Sequence, residues 1–220
     1  MYIEYLKLHE KNPQAYNITS LYKGLMSGSF CPANLIHKTI NILGMKQLAI
    51  CYGMTELSPV VSMNRPNDTL ADRLETVGAI MPHVEAKIID ENGQIVPRNT
   101  IGQVCFRGYT TMIGYFNNLE KTKETLKEDG WLMTGDLAYI NDRGYLNIKG
   151  RSKEMIIRGG ENIYPVEVED FLIKMPGVLN VTAIGVPDEK FGEELFVQVI
   201  VKEEHKDSFK IHDIYDYCKG

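Results

Sequence analysis

Tyr52-Gly53-Met54-Thr55-Glu56 gathers an aromatic ring, a bare backbone position, a hydroxyl and a carboxylate within five residues. A tyrosine ring offers a flat apolar face to a purine, and glycine lets a ligand approach the main chain closely. The Thr55 hydroxyl can donate to a phosphate oxygen, and Glu56 is a hard oxygen ligand suited to Mg2+. A plain turn with an exposed glutamate uses the same residue types. Downstream, Trp131-Leu132-Met133-Thr134-Gly135-Asp136-Leu137 supplies a second carboxylate. Its two oxygens can accept from both hydroxyls of a vicinal diol, which neutral side chains do less well. Thr-Gly-Asp is also a common Asx-type turn.

The densest run is Gly150-Arg151-Ser152-Lys153-Glu154-Met155-Ile156-Ile157-Arg158-Gly159-Gly160-Glu161-Asn162-Ile163-Tyr164-Pro165. Arg151 adds a permanent cation downstream of Asp136. Lys153 is a charged residue that solvent can accommodate in two backbone conformations. Gly159-Gly160 permits positive φ and lets a thin ligand pass against uncovered backbone, although a simple tight turn needs the same pair.

The elements that must position these groups follow from periodicity. Residues 1–12 and 34–43 read as helices, and residues 21–26 as a strand running into Ser27-Gly28-Ser29. Residues 47–51 are short, apolar and bounded by glycines, as a buried parallel strand is. Tyr52 therefore falls at a strand's carboxyl end, where α/β sheets bind ligands. From residue 76 the texture turns β-rich, with strands at 84–89, 102–107, 137–140 and 145–149. Asp90-Glu91-Asn92-Gly93 and Asn141-Asp142-Arg143-Gly144 mark turns between them. Thr134-Gly135-Asp136 is expected in a turn leading into the third of these strands.

After Arg151 the texture changes once more. A strand at 155–157 precedes a helix opened by Pro165 and striped by Val168, Phe171, Leu172 and Met175, out to Pro176-Gly177. Strands at 178–186 and 195–202 and a helix at 211–218 complete the pattern. The expected fold is α/β: part of a doubly wound large domain (1–75), a β-barrel-like subdomain (76–149) and a small α+β domain (150–220). A hinge is placed at 150–153.

Composition narrows the function class. The 220 residues are 44% hydrophobic and 24% charged, with a formal net charge of −5. A nucleic-acid protein needs a basic surface, so none is expected as a partner. No apolar run approaches the roughly 20 residues that cross a bilayer. Cys31, Cys51, Cys105 and Cys218 form no CxxC pair, and the five histidines show no ligand spacing, so reduced thiols inside a cell are expected rather than zinc.

In this order the segments resemble the nucleotide-handling motifs of acyl-CoA synthetases, within the adenylate-forming (AMP-binding) enzymes, and the likeness is to the medium-chain type. It runs over about residues 18–218. The resemblance implies an acid-thiol ligase acting on a fatty acid, ATP and CoA, with AMP and Mg2+ at the site and a mitochondrial setting. It implies adenine contact for Tyr52-Gly53, phosphate for Thr55, metal for Glu56, and ribose for Asp136 with Arg151 assisting. Lys153 matches the hinge, where relatives often carry aspartate. Gly159-Gly160 matches the loop that approaches the pantetheine arm of CoA, and Ser27-Gly28-Ser29-Phe30-Cys31-Pro32 a segment lining the acyl and adenine pockets. Many relatives carry further glycine or alanine where Ser29 and Phe30 stand.

Two elements that the resemblance leads one to expect are not among these residues. No Ser/Thr/Gly-rich phosphate loop with a lysine precedes Tyr52, and no Gly-Lys segment follows Cys218. The adenylation lysine is expected beyond the last residue, so no catalytic residue is assigned, and a fragment with little or no ligase activity alone is expected. The alternatives are a non-catalytic nucleotide- or CoA-binding module that pairs with another chain, or a luciferase-like or carrier-protein-activating enzyme. The stretch from Glu154 to Pro165 is closer to the CoA-ligase version than to either of the last two.

Overall fold

Residues 1–29 and 31–219 are described by the computed structural model, so Phe30 of the 27–32 segment lies outside the described residues. The chain divides into two compact units, Met1–Ile148 and Lys149–Gly220.

The first unit begins with α1 (Tyr2–Lys11), β1 (Lys23–Met26), α2 (Ala33–Ile42) and β2 (Gln47–Gly53). Leu6 of α1 and Ile36 of α2 pack with Met26, Leu48 and Ile50 in one apolar core. β1 and β2 run parallel, with Met26 opposite Ile50. Their carboxyl ends therefore leave the sheet on one side, and residues 27–29 and 52–56 both emerge there. β3 (Val60–Met63), α3 (Leu70–Glu75) and β4 (Ala79–Ile80) follow. β3 is antiparallel to β2 and β4 to β3, giving a mixed sheet in the order β1-β2-β3-β4.

α3 has only six residues, and its stability comes from contacts far along the chain. Thr69 caps it, with Asp72 completing a reciprocal capping box. The buried Asp72 carboxylate also pairs with Arg143. Arg73, 5% exposed, donates through Nε to Leu48 O of β2 at 2.8 Å and through its other nitrogens to the carbonyls of Arg65, Pro66, Asp68 and Thr69.

The β-rich part comprises β5 (Val84–Ile89), β6 (Gly102–Gly108), α4 (Leu119–Thr125), β7 (Leu132–Ile140) and β8 (Leu146–Arg151). Its sheet runs β5-β6-β7-β8. Alternate residues of these strands face inward, where Ile88, Val104, Phe106, Leu132 and Leu146 meet Leu57 and Val61. At the β8 edge, Val77 N donates to Leu146 O and Leu146 N to Gly78 O, each at 2.9 Å, so hydrogen bonding continues toward β4. The strand expected at 137–140 begins earlier, at Leu132, so Thr134-Gly135-Asp136 lies inside β7 rather than in a turn before it.

In the second unit, β9 (Ile156–Arg158), β10 (Glu161–Ile163), α5 (Pro165–Leu172), β11 (Val178–Asp188), β12 (Gly192–Val201) and α6 (Ile211–Cys218) form an antiparallel sheet in the order β10-β9-β12-β11 with a helical layer. Leu172, Met175, Val178 and Val181 make its core. The helix expected to reach residue 175 stops at Leu172, yet Met175 remains 7% exposed within that core. Among the described residues no helix is long and apolar enough to cross a membrane.

The Arg143 guanidinium beside Asp72 holds its carboxyl below the usual carboxylate range. A depressed native pKa contributes stability above the unfolded value, about 3.9, and that contribution disappears as pH falls through the native value. Asp72→Asn is therefore expected to cost about 1.5–3 kcal/mol at neutral pH, the worth of a hydrogen bond to a charged group. Melting curves followed by circular dichroism should show the gap between variant and wild type closing below pH 4 (about the unfolded carboxylate value).

Candidate functional site

Tyr52 and Asp136 are 84 positions apart in the chain, and the first unit brings them into direct contact. The Tyr52 hydroxyl donates to Asp136 Oδ2 at 2.5 Å. The Tyr52 ring sits half-buried against Phe106, with ring centroids 6.0 Å apart. Asp136 reaches this position through an irregularity in the sheet. Gln103 pairs with Leu137 and Cys105 with Met133, so Val104 alone faces Thr134, Gly135 and Asp136. Such a bulge re-aims side chains. It is fastened by Thr134, whose Oγ1 donates to Val104 O at 2.7 Å and accepts from Asp136 N at 3.0 Å. Gly135 supplies the positive φ of 76° that the bulge needs. A carboxylate has roughly four lone-pair sites, so Asp136 can accept from Tyr52 and from a diol.

Gly53 does not leave room for a ligand in the way its sequence position invites. A Cβ there would lie 1.7 Å from Pro59 O, so the close backbone approach is made by the chain itself as β3 turns back along β2. Thr55 and Glu56 then lie in a 3-10 turn, Thr55–Leu57, with Leu57 fully buried as its anchor. Thr55 is exposed and Glu56 half-buried. Glu56 is gripped twice by the segment after β6: its carbonyl accepts from Met112 N at 2.9 Å, and its Oε1 accepts from the Tyr115 hydroxyl at 2.7 Å. The Glu56 carboxylate in turn holds the Tyr115 hydroxyl above the usual phenol range. Gly28 (φ 87°) and Ser29 are exposed beyond the end of β1.

Arg151, Lys153, Gly159 and Gly160 belong to the second unit. Arg151 ends β8, and Lys153 lies exposed in the 3-10 turn Ser152–Glu154. Gly159 and Gly160, at φ 60° and 91°, form the two-residue turn of the β9–β10 hairpin. Positive φ at both central positions is the geometry that matches strand twist in such hairpins. Gly159 N donates to Phe191 O at 2.9 Å, and the Arg158 guanidinium lies over the Phe191 ring, 4.1 Å from its centre.

Among the described residues no three His, Cys, Asp or Glu side chains gather as a metal centre. Glu56 offers one carboxylate, which is a donor set for Mg2+ that arrives with phosphates rather than for a metal held by protein alone. Sequence reasoning passed over Tyr115, whose partner lies 59 positions away. The Gly114-Tyr115 pair ahead of Asn118, the capping residue of α4, was the available signal.

Comparison with known proteins adds family to geometry. The AMP-binding enzyme family model matches residues 1–116. The putative acyl-CoA synthetase YngI of Bacillus subtilis (strain 168) is 44% identical over 215 residues, which cover 97% of this chain and 39% of that protein. The mitochondrial medium-chain acyl-CoA ligase ACSF2 of Bos taurus is 44% identical over 214 residues, covering 97% of this chain and 34% of that one. The anthranilate CoA ligase AuaEII in complex with anthranoyl-AMP superposes with a TM-score of 0.84 at 29% identity, over 99% of this chain and 41% of that chain. ATP-bound MatB from Rhodopseudomonas palustris gives 0.83 at 29% identity, over 98% and 43%. The chain thus spans less than half the length of each of these relatives.

Gly53→Ala tests the crowding between β2 and β3. The added methyl meets backbone that cannot rotate away, so a loss of about 1–3 kcal/mol or more is expected. Chemical denaturation should register it, and an unchanged midpoint would refute the packing described.

Proposed function

The chain belongs to the AMP-binding enzyme family, and we propose that its first unit binds the adenylate portion of ATP and of an acyl-adenylate in an acyl-CoA synthetase. The Tyr52–Asp136 hydrogen bond is the observation that carries this reading. It joins an aromatic face suited to a purine to a carboxylate suited to the adjoining sugar. Thr55 is the donor toward phosphate, and Gly28 and Ser29 line the neighbouring rim. In the second unit Arg151 is the cation suited to a ribose, Lys153 the pivot residue, and Gly159-Gly160 the loop that admits the pantetheine arm of CoA.

The chemistry follows from the weakness of a carboxylate as an electrophile. A fatty-acid carboxylate oxygen attacks the α-phosphorus of ATP, and the bond to the β-phosphate oxygen breaks to release pyrophosphate. The resulting acyl-adenylate has AMP as leaving group. The CoA sulfur then attacks the acyl carbon, its proton is lost, and AMP departs to leave a thioester. Mg2+ bound with the phosphates supplies positive charge against the negative charge that develops on them, and Glu56 is the residue that would hold it. Medium-chain fatty acids are the proposed substrates, supported by the 44% identity to the Bos taurus medium-chain ligase.

The 220 residues alone are proposed to bind nucleotide without completing ligation, since residues 1–51 hold no Ser/Thr/Gly-rich loop with a lysine to grip the outgoing phosphates. Isothermal calorimetry with AMP, paired with a pyrophosphate-release assay on medium-chain acids, separates binding from turnover. Asp136→Ala is expected to weaken AMP binding by about 1.5–3 kcal/mol for each charged hydrogen bond lost. Equal affinity in the variant would remove the ribose assignment, and pyrophosphate release by the unsubstituted chain would remove the claim of binding without ligation.

A further inference from the structure

We infer that Tyr115 is a positioning residue for Glu56: its hydroxyl fixes Oε1 of that carboxylate so that Oε2 is presented to a divalent cation travelling with nucleotide phosphates. The inference rests on the nucleotide reading above and adds a residue to it. Glu56 follows a strand end in a short 3-10 turn, and its side chain has several torsions free to rotate. A lone flexible carboxylate is a poor cation ligand, because ordering it costs side-chain entropy at the moment of binding. The 2.7 Å bond from Tyr115 meets that cost in advance. Among the described residues Oε2 has no hydrogen-bond partner, so the bond orients the group without occupying it.

The support behind Tyr115 is built for this placement. Tyr115 N donates to Thr122 Oγ1 at 2.9 Å, and the same hydroxyl donates to Asn118 O at 2.7 Å. Asn118 caps α4 by accepting from Lys121 N at 3.0 Å, and Lys121 Nζ stands 5.1 Å from the Tyr115 ring centre. Gly114 is required here: at φ 156°, a Cβ would come within 2.8 Å of Thr122 Cγ2. α4 buries none of its residues, so it adds little to the core. What it does hold is the main chain of Tyr115, through Thr122. Groups that orient metal ligands in this indirect way commonly change metal affinity by about 10–100-fold when removed.

The test titrates ATP into the 220-residue chain by calorimetry, once in excess Mg2+ and once in EDTA. Wild type should bind ATP more tightly in Mg2+. Glu56→Gln should abolish that gain. Tyr115→Phe should cut it by about tenfold or more, with affinity in EDTA and melting temperature unchanged. The double variant should be no worse than Glu56→Gln alone. A full Mg2+ gain in Tyr115→Phe overturns the inference, and so does an equal loss in Mg2+ and EDTA, which marks a merely structural role. ATP binding without any Mg2+ gain in wild type also overturns it, while leaving the adenylate reading standing. No ATP binding by wild type removes that reading and this inference together. Should Tyr115→Phe not fold, Thr122→Val loosens Tyr115 while sparing its hydroxyl, and a retained full gain there counts against the inference in the same way.

Discussion

The hydrogen bond from Tyr52 to Asp136 is the constraint on which the candidate site depends. Neither strand alone determines where its functional group ends up. β2 delivers Tyr52 to the edge of the first sheet, and the bulge in β7 turns Asp136 toward it. A carboxylate acceptor makes the bond charge-assisted, roughly twice as strong as a neutral one. It therefore acts as a polar cross-tie between two sheets that also share an apolar core, where Val61 of β3 meets Val104 and Phe106 of β6. The site forms where those two halves of one unit are joined.

Glycine serves different physical ends at the positions that look alike in the sequence. Gly53 is present because another strand occupies the space a methyl would need. Gly135 is present because the bulge requires positive φ, and nothing crowds it. Gly159 and Gly160 meet the demand of a two-residue hairpin turn. Of the glycines read as ligand-facing, only Gly28 and Gly160 have open space where a side chain would stand.

Elements with strong local periodicity were readable directly. The strand at Val84–Ile89 and the helix at Ile211–Cys218 match their expected limits, and Pro165 opens its helix as expected. Elements held by distant partners were not readable. α3 depends on Asp72 meeting Arg143, 71 residues away, and carries no apolar stripe long enough to register. α4 fully buries no residue, and its inner face is only the half-buried Thr122 and Thr125. β3 and β10 are four and three residues long, too short for alternation to declare itself. At the site, the chemical capacity of Tyr52, Glu56 and Asp136 was legible one residue at a time. Their mutual contacts were not, because sheet pairing and the bulge create them. The chain's own use of Gly53 was hidden for the same reason.

Arg73 carries a separate consequence. Its guanidinium is buried with no carboxylate among the described residues to neutralise it, and it is satisfied by five main-chain carbonyls. The tie from Arg73 to β2 is therefore made without any side-chain carboxylate, main-chain oxygens alone receiving the guanidinium. The Asp72 cap of the same helix is the part of this fastening that protonation reaches.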